Sequence, residues 1–92
     1  MDDSVIDNQT QNRFEMPVGD ALAVAYYQLD GDRVVLTHTE VPPELAGKGV
    51  GSKLAEGTFA CIRTSGRKAI TKCPFMARWA SQHLEVADLV VE

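Results

Sequence analysis

The sequence predicts an α/β protein of the α+β kind, in which an antiparallel meander of strands precedes a helix, a strand and a second helix. Residues 5–41 contain short runs rich in β-branched and aromatic side chains, separated by turn signals. Residues 54–62 and 75–83 instead carry apolar side chains at helical spacing. An apolar segment at 68–72 lies between the helical patterns, so it can form a strand parallel to the last strand of the meander.

The meander is expected to contain four strands, which are residues 5–8, 13–16, 21–29 and 33–41. A polar turn at 8–12 joins the first two strands, and 17–20 is a turn signal. Asp30-Gly31 predicts a hairpin turn into the fourth strand. Pro42-Pro43 ends that strand, because proline cannot donate a ladder hydrogen bond.

The first helix places its apolar side chains on one stripe, made of Leu54, Ala55, Thr58, Phe59 and Ile62. Ser65-Gly66 ends this helix. Cys73 takes the cap position of the second helix, and Pro74 the first helical position. The stripe of the second helix is Phe75, Met76, Trp79, Ala80 and His83. We interpret Phe59, Phe75 and Trp79 as core residues, and residues 89–91 suit a short final strand.

Composition limits the class of protein. The 92 residues are expected to form one domain, residues 1–92, with a net charge of −4 that argues against nucleic-acid binding. We find no apolar run that could cross a membrane and no secretory signal, so we expect a cytoplasmic protein without a membrane partner. We expect it to be a monomer or weak dimer. Cys61 and Cys73 are expected to be free thiols, and their spacing from the two histidines predicts no metal site.

A glycine-rich segment, Gly47-Lys48-Gly49-Val50-Gly51-Ser52-Lys53, lies between the fourth strand and the first helix. Glycines let the backbone approach a ligand closely, and the N–H groups at a helix start suit a phosphate. Two lysines add positive charge. Neither the Walker nor the Rossmann spacing is present. The segment therefore predicts either a phosphate-bearing ligand held mainly by backbone or a helix-entry turn without a ligand.

Three motifs together extend this interpretation: H-T-E-V at 38–41, G-x-G-x-G at 47–51 and C-P-F at 73–75. Their combination resembles the GNAT acetyltransferase superfamily, and in particular its short single-domain GNAT-like branch. The resemblance implies a mixed sheet whose fourth and fifth strands splay apart, with acetyl-CoA or coenzyme A as co-substrate. The family pattern [QR]-x-x-G-x-[GA] maps onto 46–51, with alanine in place of Gln or Arg. The cofactor-binding residues that it implies are Val41, Ala46, Gly47, Lys48, Gly49, Val50, Gly51, Ser52 and Lys53.

Three residues are candidates for catalysis. Cys73 lies at a helix start, which favours the reactive thiolate, although a small inert cap residue has the same sequence. His38 and Glu40 are expected on one side of the fourth strand, shared with Leu36, because side chains alternate along a strand. His38 could accept a proton from an amine, and Glu40 could do so or orient His38. The alternatives are a buried, hydrogen-bonded histidine and a solvated glutamate.

The sequence therefore predicts an acetyl-CoA-dependent N-acetyltransferase with an amine-bearing acceptor, a small molecule or a protein. Transfer could be direct, with backbone N–H groups of the fourth strand polarising the carbonyl as the resemblance implies, or proceed through acetyl-Cys73. Two other interpretations stay open. One is a non-catalytic coenzyme A-binding or protein-interaction module, and the other is a redox-sensing thiol protein built on Cys73.

Overall fold

Five strands form one sheet in the computed structural model, which describes residues 5–91. They are β1 Ile6–Asn8, β2 Arg13–Val18, β3 Ala21–Asp30, β4 Arg33–Glu40 and β5 Lys68–Thr71, and they lie in that order across the sheet. The first four pair antiparallel, whereas β5 pairs parallel to β4. The predicted α/β class and meander are confirmed. The end at residues 1–4, for which we expected fraying, lies outside the described residues.

After the meander, the chain forms the helix α1 Val50–Ser65, then β5, then the helix α2 Pro74–Ser81. Gly66 ends α1 in the left-handed conformation, at φ 77°. The predicted strand at 89–91 is wrong, because Leu84–Leu89 forms a 3₁₀ helix and only Val90 bridges to β5. The cause is burial: this segment turns to place Val86 and Leu89 in the core.

Strand β2 continues through Pro17 and Val18, which the sequence placed in a turn. The turn itself is Gly19-Asp20, with Gly19 at φ 60°. A proline is tolerated in β2 because β1 pairs only with residues 13–15, and within residues 5–91 no other strand lies against the rest of that edge. This edge therefore needs no N–H donor at Pro17.

One core lies between the sheet and the two helices. From the sheet it takes Phe14, Met16, Ala23, Ala25, Tyr27, Val34, Leu36 and Ala69. From α1 it takes the whole predicted stripe except Thr58, which is buried beside it, and from α2 it takes Met76, Trp79 and Ala80. Side chains at alternate positions of β3, such as Val24 and Tyr26, lie on the other face, which we call the outer face.

A β-bulge in β4 reverses its alternation of side chains. Leu36 pairs with Tyr27 and His38 pairs with Tyr26, so Thr37 is the extra residue. Before the bulge Leu36 faces the core, and after it His38 and Glu40 point to the outer face. The prediction that His38 and Glu40 share a side is confirmed, but the prediction that Leu36 lies on that side is wrong. A period of two fails wherever one strand gains an extra residue.

Thr58 on α1 is fully buried, and its hydroxyl oxygen has no hydrogen-bond partner within the described residues. Valine has nearly the same shape and is also β-branched, so Thr58→Val should remove the cost of the unsatisfied group without changing packing. We expect the free energy of unfolding to rise by about 1 kcal/mol or more. Urea denaturation measures it, with the exposed Thr64→Val as control. A less stable Thr58→Val variant would contradict the packing described here.

Candidate functional site

Strands β4 and β5 pair over a short distance and then separate. Their pairs run from Arg33 with Lys68 to Leu36 with Thr71. Immediately afterwards, the backbone N–H groups of Lys72 and Cys73 both donate to the carbonyl of Leu36, at 3.0 and 2.9 Å. Within residues 5–91, the rest of β4 pairs with β3 alone. The splay implied by the resemblance is therefore present, and an open gap begins where β5 turns into α2.

The glycine loop, residues 46–49, joins this gap to the start of α1. A 3₁₀ turn at Pro43–Leu45 leads into it, and all four loop residues are exposed. Gly47 and Gly49 have φ values of 78° and 74°, where any other residue is strained. Gly49 caps α1 without a side-chain hydrogen bond. The N–H groups of Val50, Gly51 and Ser52 consequently have no acceptor within the helix.

The helix begins earlier than the sequence indicated, at Val50 rather than Leu54. Gly51, Ser52 and Lys53 therefore belong to the first turn of α1, not to a loop. Gly51 is a glycine for a different reason from Gly47 and Gly49, since its φ is not positive. A Cβ built there would lie 3.0 Å from the ring of Phe75. Its missing side chain lets α2 pack against α1.

Phe75 is not the core residue that the sequence predicted, because 41% of its surface is exposed. It is the second residue of α2, and its ring covers Gly51 beside the glycine loop. The helix turns the next residue, Met76, into the core in its place. Phe75 thus forms an apolar surface next to the free N–H groups of α1.

Cys73 lies at the apex of the gap and caps α2, as predicted. It is only 4% exposed, and its Sγ lies 3.3 Å from Oγ1 of Thr39 on β4. Either atom can be the donor in this contact. Thr39 was given no role in the sequence analysis, although its place between His38 and Glu40 put it on the opposite face from them. The contact links the edge of β4 to the start of α2.

His38 and Glu40 form a pair on the outer face. Nε2 of His38 lies 3.1 Å from Oε2 of Glu40, and their side chains are 61% and 59% exposed. The His38 ring also stacks with Tyr26, with 6.2 Å between centroids. His38 is therefore not a buried strand histidine, and an acceptor could reach it from solvent.

The three catalytic candidates do not form one cluster. Cys73 faces the core side, whereas His38 and Glu40 face outwards. A hollow of about 410 Å³ at the end of β4 connects the two sides, since it is lined by Thr39 and Glu40 together with Val41, Pro42, Pro43 and Leu22. A larger hollow of about 480 Å³ lies against α1, but Arg63 in its wall is already paired with Asp88 and none of the three catalytic candidates lines it. We take the smaller hollow as the candidate active site.

A family model described as GCN5-related N-acetyl-transferase matches residues 13–89, which includes the gap, the glycine loop and α2. The chain belongs to the GCN5-related N-acetyltransferase family. The solution structure of a GCN5-like protein from Staphylococcus aureus is similar to it, with a TM-score of 0.73 and 26% identity. That likeness covers 99% of this chain and 91% of the Staphylococcus protein. No curated protein matches the chain.

This family member departs from the family pattern at Ala46, whose methyl group cannot hydrogen-bond a phosphate. The N–H of Ala46 donates to Pro43 at 3.1 Å, and that of Lys48 donates to Leu45 at 3.3 Å. These two donors hold the loop in shape. The donors without an acceptor inside α1 are those of its first turn, so an anion at this end of the helix would meet Val50, Gly51 and Ser52.

Residues 5–91 contain no group of three His, Cys, Asp or Glu side chains that could hold a metal ion. Nor does any helix within that range have the length and apolar character needed to cross a membrane.

The two cysteines differ in their surroundings. Cys61 is a half-buried residue of α1, and burial, followed by the nearby charge of Asp7, raises the pKa of its thiol. Because the thiolate is the reactive form, Cys61 should label slowly at neutral pH. We expect alkylation of Cys61 in a Cys73→Ala variant to have its pH midpoint above that of the same protein in urea.

Alkylation of Cys73 in a Cys61→Ala variant provides the comparison. Because the pKa of Cys61 is raised, we expect Cys73 to label faster than Cys61 at neutral pH. Mass spectrometry of both single-cysteine proteins over a pH series gives the two profiles. Equal midpoints for folded and unfolded Cys61 would contradict the burial described here, and faster labelling of Cys61 would contradict the expected order of reactivity.

Proposed function

We propose that the protein is an acetyl-CoA-dependent N-acetyltransferase that acts on an amine-bearing acceptor, a small molecule or a protein. The observation that carries this proposal is the separation of β4 and β5 beside the uncapped start of α1. A family member with this opening can hold the pantetheine arm in the gap and the pyrophosphate at the helix start. Family membership supports the reaction class.

The loop supplies the recognition of phosphate. The N–H groups of the first turn of α1 point out of the helix, where the positive end of its dipole also lies. Lys48 and Lys53 are exposed beside this turn and add positive charge. Phe75 gives the adjoining apolar surface. Backbone donors of this kind suit an anion that carries oxygen atoms, as a pyrophosphate does.

The outer face supplies a base for direct transfer. A protonated amine must lose a proton before its nitrogen can attack the thioester carbonyl. His38 can accept that proton, and Glu40, at 3.1 Å, can hold its ring and stabilise the imidazolium. The nitrogen then forms a bond to the carbonyl carbon, the carbon–sulfur bond breaks, and coenzyme A leaves as its thiol. The exposure of both side chains suits an acceptor that docks on the open face of the sheet.

Cys73 provides the second route. Its Sγ would attack the carbonyl carbon of acetyl-CoA to form a new thioester, while the bond from that carbon to the sulfur of coenzyme A breaks and coenzyme A leaves as its thiol. The amine would then attack the acetyl-Cys73 thioester, form the amide and release the Cys73 thiol. Thr39, at 3.3 Å, can donate to the sulfur when the thiol loses its proton. Thr39 also lines the candidate active site, and this supports a role there for the sulfur that it contacts.

A titration of acetyl-CoA followed by an acceptor screen tests the proposal. We expect binding with one site per chain and release of coenzyme A thiol with at least one amine among polyamines, amino acids and lysine peptides. Binding without turnover against all acceptors would favour the non-catalytic module, and no binding would overturn the proposal. Acetylated Cys73 after mixing, detected by mass spectrometry, would favour the covalent route over direct transfer.

A further inference from the structure

Trp79 on α2 is hydrogen-bonded to the first turn of α1. Its indole Nε1–H donates to Oγ of Ser52 at 2.9 Å. Trp79 is a core residue, as predicted, and is only 7% exposed. Its polar atom nevertheless reaches the glycine segment, and Ser52 itself is exposed.

Packing fixes the direction of this donor. The indole stacks on Phe59, with 5.6 Å between centroids and 10° between planes. It stacks more closely on His83, at 3.7 Å and 12°. His83 is held in turn, because its Nδ1 donates to the carbonyl of Trp79 at 2.7 Å. The ring therefore has little freedom to rotate its N–H away from Ser52.

The hydroxyl proton of Ser52 is not used in the hydrogen bond with Trp79. An indole N–H can only donate, whereas a serine hydroxyl has one donor and two acceptor positions. Since Oγ of Ser52 accepts from Trp79, its own O–H is left to donate elsewhere. Ser52 is the third residue of α1, so its side chain lies beside the N–H groups that have no helical acceptor.

We propose that Trp79 is a positioning residue that holds the Ser52 hydroxyl as a donor to a phosphate oxygen at the start of α1. This inference rests on the proposed function, because it concerns the same phosphate-binding site. It adds Trp79 to a site that otherwise consists of β4, the loop, the first turn of α1 and the start of α2. It also makes the single tryptophan of the chain a reporter of that site.

Titrations of sodium pyrophosphate and of coenzyme A, carried out separately, test the proposal. The proteins are the wild type, Trp79→Phe, Ser52→Ala, the double variant and Ser52→Thr, with the exposed Ser81→Ala as the matched control. Phenylalanine keeps an aromatic ring in the stack and removes the donor. We expect Trp79→Phe and Ser52→Ala each to weaken pyrophosphate binding about five- to tenfold. The double variant should bind no more weakly than Ser52→Ala, and Ser52→Thr should retain affinity.

The indole N–H signal in a ¹⁵N-labelled sample gives a second measurement that does not depend on the stability of Trp79→Phe. It should shift in ligand-free Ser52→Ala relative to the wild type, and it should respond to pyrophosphate in the wild type but not in Ser52→Ala. Wild-type affinity in a folded Trp79→Phe or Ser52→Ala protein, or losses that multiply in the double variant, would overturn the inference.

The two probes separate this inference from the proposed function. Binding of pyrophosphate that depends on Trp79 and Ser52, without binding of coenzyme A, would support the inference and overturn the proposed function. Binding of coenzyme A that ignores both residues would support the proposed function and overturn the inference. A wild-type protein that binds neither probe would overturn both.

Discussion

His38→Ala is expected to lower the turnover number about a hundredfold or more, which is the usual cost of losing a general base. The affinity for acetyl-CoA should stay unchanged, because His38 lies on the outer face and the glycine loop does not contact it. The pH dependence of turnover should also change, because the group that accepts the proton from the amine is lost. Steady-state kinetics over a pH series measure both effects.

Glu40→Gln and Gln28→Ala are the comparison variants for this experiment. Glu40→Gln keeps the shape of the side chain but removes the charge that stabilises the imidazolium, so its effect should be smaller than that of His38→Ala. Gln28 lies on the same outer face, opposite Val35 and further from the gap, so its replacement should leave turnover intact. Wild-type turnover in His38→Ala would exclude this residue as the base. If Cys73→Ala then abolished activity, transfer through the thiol would be the better account.

Gly49→Ala should weaken the binding of coenzyme A about tenfold or more, which corresponds to about 1.4 kcal/mol. Alanine is strained at φ 74°, so the cap of α1 must shift and its N–H groups lose their alignment. The new Cβ meets no protein atom within 4 Å, so the effect should fall on the ligand and not on packing. Isothermal titration calorimetry measures the affinity.

Gly31→Ala is a matched control, because Gly31 has a φ of 62° and equally open surroundings but lies in the hairpin between β3 and β4. Both variants should lose about 1–2 kcal/mol of stability from backbone strain. Only Gly49→Ala should lose affinity. Equal affinities for coenzyme A in the two variants would show that the glycine loop does not belong to the binding site. Gly51 is less suitable for this test, since a side chain there displaces Phe75.

The order of the elements and the residue types at their ends could be predicted from the sequence alone. Helical spacing at 54–62 marked the buried stripe of α1, and Cys73-Pro74 marked the start of α2. These are local properties, set by backbone geometry and by which neighbours share a face. The turn at the glycine segment and the helix that follows it could be predicted for the same reason, although the helix begins within the segment, at Val50.

Only the tertiary structure decided which face carries each candidate residue. The extra residue at Thr37 turns His38 away from Leu36, and nothing in the spacing of β4 indicates it. Phe75 is exposed because Gly51, from a different helix, leaves room for its ring. Trp79 reaches Ser52 across 27 positions of the chain. Bulges and contacts between distant segments depend on how whole elements pack, and the period of a single element carries no record of its partners.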